Sequence, residues 1–334
     1  MGVCLADKLR AAPPAHAASA QPPNSVDRPL LWVDQKPLII SNAVLAFLWC
    51  LIRCILVDVA TANDACAALF RQRGINITHP GFYDEPGFRE AELADPTFLN
   101  HYATFVRTIF LDDAYRARAR REIPFIADVV RHELVADGRL GACVDIGMML
   151  SRILEQEGYW NYQVKGSLTI RFPPESGIPP KYFWSFDVVQ ERFAAAHSWL
   201  VAPPFSIADI AVRQQPYDNG GEFLPDAVVT ERVTHATSSL RDLFSPSYCD
   251  LMRVQFGLAP NRIVQEREPR LIRFQQRFPP ELVTYGRTRL KYIPVAIGAP
   301  DSPFAEMGNW RVNGRVAIEL YRDVVQPQLR EIRN

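Results

Sequence analysis

The stretch Gly141-Ala142-Cys143-Val144-Asp145, followed by Ile146, Met149, Leu150, Ile153 and Leu154, decides how this chain is read. Apolar residues at that spacing mark one buried face of a helix, and Gly158, just after Glu157, is a stop signal. Cys143 therefore falls in the first turn of the helix. Unpaired backbone N–H groups and the helix dipole favour an anion there, and for a cysteine that anion is the thiolate. Gly141 leaves room for a substrate backbone to pass close to the sulfur, and the Cys143 N–H is a candidate oxyanion donor. Taken alone, such a cysteine reads equally well as a small buried hydrophobe.

Two later residues change that reading. Tyr182 to Val189 and Trp199 to Val201 are rich in aromatic and β-branched residues and read as strands, with His197-Ser198-Trp199-Leu200 at the start of the second. Phe205 to Val212 reads as a further strand in which Ile207, Asp209 and Ala211 share a face. An aspartate between apolar neighbours is costly unless paired, and a histidine on the adjacent strand is a natural partner. A nucleophilic thiol needs a base, and the base needs a group that fixes its orientation. Cys143, His197 and Asp209 supply these roles in that order.

Residues 139–213 resemble the transglutaminase-like branch of the papain-fold cysteine enzymes. In that family a short Gly-x-Cys motif opens a helix, a His-Ala-Trp-like motif opens a strand, and an aspartate follows about a dozen residues later. Gly141 to Cys143, His197-Ser198-Trp199 and Asp209 stand at those places. Asp209 is followed by Ile210-Ala211, where many members carry Pro-Thr, and no upstream side-chain donor for the oxyanion can be assigned. The resemblance implies an α+β fold in which a helix bearing the cysteine packs on an antiparallel sheet bearing the histidine and aspartate. It implies thiol acyl transfer on an amide of a peptide, protein or small conjugate through a thioester, with water or an amine as acceptor. Gly141 and Trp199 are then expected against the substrate, and the chemistry requires no cofactor. Rival readings from other classes are a non-catalytic protein-binding module on the same fold and a membrane-associated effector anchored by the apolar segment 43–60.

Other chemistries lack their motifs. There is no Gly-x-Ser-x-Gly elbow, Walker-type loop or Gly-x-Gly-x-x-Gly turn. His132-Glu133 lacks a second histidine at zinc-peptidase spacing, and no Cys-x-x-Cys pair is present, so no metal site is expected. Lys plus Arg and Asp plus Glu are 37 each, a formal charge of zero that gives no global drive toward nucleic acid or an anionic membrane. Arg262, Arg267, Arg270, Arg273, Arg277, Arg287 and Arg289 crowd the later sequence, but Glu266, Glu268 and Glu281 interrupt them, so the segment reads as a solvated mixed face. The six cysteines are irregularly spaced, which argues against a disulfide framework and for a reducing, cytoplasmic setting.

The 334 residues divide into a disordered tail (1–28), a mainly helical region (29–136), the transglutaminase-like core (137–220) and a mixed α/β region (221–334) that completes the domain. Helices are expected over Pro96 to Leu111, Asp112 to Ala136, Ala236 to Phe256 and Ala317 to Ile332, and short strands over Leu282 to Ile297. Gly2 with Cys4 nearby resembles a dual-acylation start, but position 6 is Ala rather than Ser or Thr. An unmodified tail is the better reading; acylation would mark a protein at work inside a eukaryotic cell, a delivered bacterial effector included. The apolar run Ala43 to Ala60 is interrupted by Arg53 and Asp58 and reads as a buried helix rather than a membrane span.

Overall fold

The structure is a computed structural model and describes residues 60–188 and 196–334. The tail, Cys50, Cys54 and all but the last residue of the apolar run 43–60 lie outside the described residues. The described residues all fall in one unit. Among the described residues, no helix is long and apolar enough to cross a membrane.

The unit is α+β. A first helix covers 60–72 (α1) and is followed by α2 (Pro86–Ala94), α3 (Leu99–Thr108), α4 (Asp113–Asp137) and α5 (Cys143–Gln156). The strands β1 (Tyr162–Arg171), β2 (Lys181–Phe183), β3 (His197–Ala202), β4 (Phe205–Asp209), β5 (Val228–Thr230) and β6 (Thr234–His235) come next. Four short helices follow: α6 (Leu240–Leu243), α7 (Pro246–Phe256), α8 (Pro260–Arg267) and α9 (Pro269–Arg277). The strands β7 (Glu281–Tyr285) and β8 (Thr288–Gly298) precede a closing run of α10 (Ala317–Leu320), a π-helical turn (Tyr321–Val325) and α11 (Gln326–Arg333).

All pairings between these strands are antiparallel, in the order β5-β4-β3-β1-β8-β7-β6. β1 is the centre. One edge pairs with β8 along nearly its whole length; the other gives Tyr162–Gly166 to β3 and Leu168–Ile170 to β2. β1 is buried at eight of its ten positions because helices cover both faces of the sheet. Alternate residues show the two sides: Trp199 joins Val164, Tyr292 and the aromatic cluster of α1–α3, whereas Leu200 and Ala202 join α4, α5 and the C-terminal helices. A third cluster packs α7–α9 against Ile293 of β8.

Several elements differ from their sequence-based expectations. The strand expected over Tyr182 to Val189 is only Lys181–Phe183 within the described residues, and the one expected to end at Val212 stops at Asp209. The helix expected over Ala236 to Phe256 is two, because Phe244 is extended and Ser245 caps a new helix with Pro246 at its first position. α3 begins at Leu99 rather than Pro96, and α8 and α9 fill a segment in which no helix was expected.

Candidate active site

Cys143 is the first residue of α5. Ala142 precedes it as an N-cap with no side-chain hydrogen bond, so the first N–H groups of the helix, that of Cys143 among them, have no intrahelical acceptor. Gly141 holds φ at 75°, a conformation that suits glycine, and its N–H donates to the Gln214 carbonyl at 2.8 Å. That bond ties the segment following β4 to the start of α5. A Cβ on Gly141 would meet nothing within 4 Å, so the space beside it is open.

His197 opens β3 and Asp209 closes β4. Because the two strands are antiparallel neighbours, both residues stand at the same end of the sheet. His197 Nε2 donates to Asp209 Oδ2 at 2.6 Å, with both side chains fully buried. The Asp209 carboxylate is itself held: the Ala211 N–H donates to Oδ1 at 3.0 Å and the Tyr292 hydroxyl donates to Oδ2 at 3.0 Å. The other imidazole nitrogen, Nδ1, is buried with no hydrogen-bond partner among the described residues. Burial would lower the His197 pKa, but the charge and hydrogen bond of Asp209, joined by Cys143 acting on the ring, outweigh it and raise the value to about 10.

Aromatic rings fix the imidazole in place. Trp199 lies near parallel to it (25°, 6.2 Å between centroids), and Phe183 and Tyr292 also stand 6.2 Å away. Trp199 is buried, packs edge-on against Tyr292 at 5.1 Å, and borders a cleft of about 300 Å³ shared with Arg107, Arg116 and Glu281. The Tyr217 hydroxyl donates to the Val212 carbonyl at 2.5 Å, and burial together with the charges of Asp209 and Cys143 pushes its pKa up.

The structure thus brings Cys143, His197 and Asp209 together, with Gly141 at the open edge and Trp199 packed against the imidazole. Sequence reasoning missed Tyr292 and Gln163. Tyr292 sits within an expected strand but bears no local mark of its role, since its partner is 83 residues away. Gln163 is fully buried on β1; its Nε2 donates to the Val144 carbonyl in the first turn of α5 at 2.9 Å, while Oε1 has no partner among the described residues. Among the described residues, no group of three His, Cys, Asp or Glu side chains is arranged to hold a metal ion. His132 is exposed on α4, with Nδ1 against the Asp128 carbonyl at 2.8 Å, and Glu133 pairs with Arg315.

No protein-family model, no curated protein and no solved structure matches this chain.

Proposed function

We propose that the protein is a cysteine-dependent acyl-transfer enzyme with a transglutaminase-like, papain-type core, acting on an amide bond through a thioester. The observation that carries this reading is the fully buried His197 imidazole, bonded to Asp209 through Nε2 and raised in pKa by Asp209 together with Cys143. With its pKa near 10 the imidazole holds a proton at neutral pH, which suits an ion pair with the Cys143 thiolate. The thiolate attacks the carbonyl, and the Cys143 N–H at the start of α5, which has no intrahelical acceptor, receives the oxyanion. His197 then gives its proton to the leaving amine, and water or a second amine releases the acyl group. Asp209 keeps the ring oriented and its positive charge stabilised.

The deep burial of the pair, with Cys143 only 3% exposed, favours a second reading in which the fold serves as a protein-binding module. Iodoacetamide labelling at mildly acid pH, located by mass spectrometry, separates the two. An enzyme labels rapidly at Cys143 and loses that rate in His197→Ala. A binding module labels Cys143 no faster than Cys4, in both proteins. Cys143→Ala abolishes turnover and leaves the melting temperature within a few degrees of the parent; turnover retained in this variant would falsify the enzymatic reading.

A further inference from the structure

The arginine-rich segment after residue 260 separates in the structure into two populations. Arg262 pairs with Glu266 one turn on, Arg267 lies 4.1 Å from the centre of the Phe256 ring, and Arg287 pairs with Glu175 at 2.8 Å. Arg270, Arg273 and Arg277 behave differently. They follow one another at i, i+3 and i+7 along α9, which puts them on a single stripe about 10 Å long. Among the described residues none has a carboxylate within ion-pair distance. Arg277 is half-buried, with the Cys66 sulfur at 4.0 Å and the Phe278 ring centre 5.8 Å away, neither of which offsets its charge as a carboxylate would.

All three border one cleft of about 680 Å³ between α9, the turn joining α2 to α3, and the end of β8. Leu99, Phe186, Phe274, Val295 and Ile297 give the cleft an apolar lining. Asp95 and Glu268 also border it; Asp95 Oδ1 is occupied by the N–H and hydroxyl of Thr97, at 2.9 and 2.8 Å. The volume is that of a small-molecule site, and an apolar lining with a few convergent polar groups is the usual construction of one. A half-buried guanidinium without a carboxylate partner is costly unless something pairs with it, and guanidinium forks match phosphate and carboxylate oxygens.

We infer that this cleft binds a small organic anion, an apolar or aromatic body bearing a phosphate or carboxylate group, with Arg270, Arg273 and Arg277 receiving the charge and Phe186 and Phe274 the body. The site shares no residue with Cys143, His197 or Asp209, so it stands or falls apart from the proposed acyl transfer.

Titration of the full chain with anilinonaphthalene sulfonate, an aromatic body with one anionic group, tests it directly. One dye binds per chain, and Arg270→Gln/Arg273→Gln weakens it about tenfold or more. The uncharged parent dye, N-phenylnaphthylamine, binds more weakly and equally to both proteins. Both arginines are exposed and form no ion pair among the described residues, so the variant keeps the parent's melting temperature within a few degrees. At matched ionic strength, displacement by pyrophosphate assigns a phosphate ligand and displacement by citrate a carboxylate. Equal dye affinity in parent and variant, or displacement by neither anion, overturns the inference.

Discussion

Asp209 governs the candidate site at the scale of single residues. Its carboxylate supplies both the charge and the hydrogen bond that lift the His197 imidazole to about 10 against the effect of burial. In Asp209→Asn the charge is gone and burial is opposed by Cys143 alone, so the imidazole falls toward its ordinary value of 6.5. The pH profile of Cys143 alkylation reads this as an upper inflection near 10 in the parent that drops by several pH units in the variant. Stability follows the same group. A histidine raised on folding contributes stability that is fully present below pH 6.5 and lost as the pH climbs through 10. The gap in denaturant midpoint between the parent and Asp209→Asn therefore narrows from pH 7 to pH 10; a constant gap would show that the pair is not coupled to folding. Tyr292→Phe removes one donor to the same carboxylate, a hydrogen bond to a charged group worth about 1.5–3 kcal/mol. Urea unfolding at neutral pH measures that loss, and the alkylation inflection should move far less than in Asp209→Asn.

Among the elements, β1 and β3 carry the tightest constraint. Gly166 pairs with both His197 and Pro294, and the β1–β8 register shifts beside it. A Cβ there would lie 2.1 Å from the Ile293 carbonyl oxygen and 2.8 Å from the Trp199 ring. The first of these atoms is backbone in a central strand, so Gly166→Ala must displace β8 or the tryptophan that packs against His197. A loss of about 3 kcal/mol or more is expected in urea unfolding, with slower Cys143 labelling in the folded fraction. The same elements show what could be read in advance. The face of α5 is a long periodic pattern, and Asp209 betrayed itself as a charge between apolar neighbours, so Cys143, His197 and Asp209 were accessible from local chemistry. α8 and α9 were not read, although Pro260 and Pro269 are first-position prolines; runs of Arg, Gln and Glu conceal a helix whose apolar face is only two or three residues wide. The sheet order was also illegible, because β8 reaches β1 from more than a hundred residues away and nothing local encodes which strand it joins.

At the scale of the whole molecule, α5 does more than present Cys143, because Arg152 at its far end ties three distant segments together. Arg152 is 4% exposed. Its guanidinium pairs with Asp84 at 2.7 Å and Glu155 at 2.9 Å, and donates to the Ser302 carbonyl at 2.7 Å. The Tyr83 hydroxyl closes the cluster by donating to Glu155 Oε1 at 2.5 Å, with the guanidinium 5.1 Å from the Tyr83 ring centre. The N-terminal helical region, the cysteine helix and the segment after β8 thus meet at one buried cation. Arg152→Met keeps much of the volume but strands Glu155, whose pKa burial already raises. Removing one member of a buried pair costs about 3–5 kcal/mol. The variant has a signature that a simple packing defect lacks. A carboxyl whose folded pKa is raised destabilises the fold while ionised, so acidification through that pKa restores stability. Arg152→Met should therefore gain denaturant resistance relative to the parent as the pH falls from 7 to 5. Adding Glu155→Gln should recover part of the loss at pH 7 and abolish the pH dependence. A defect of equal size at both pH values, untouched by the second substitution, would assign Arg152 to packing and leave the three segments held by their apolar clusters alone.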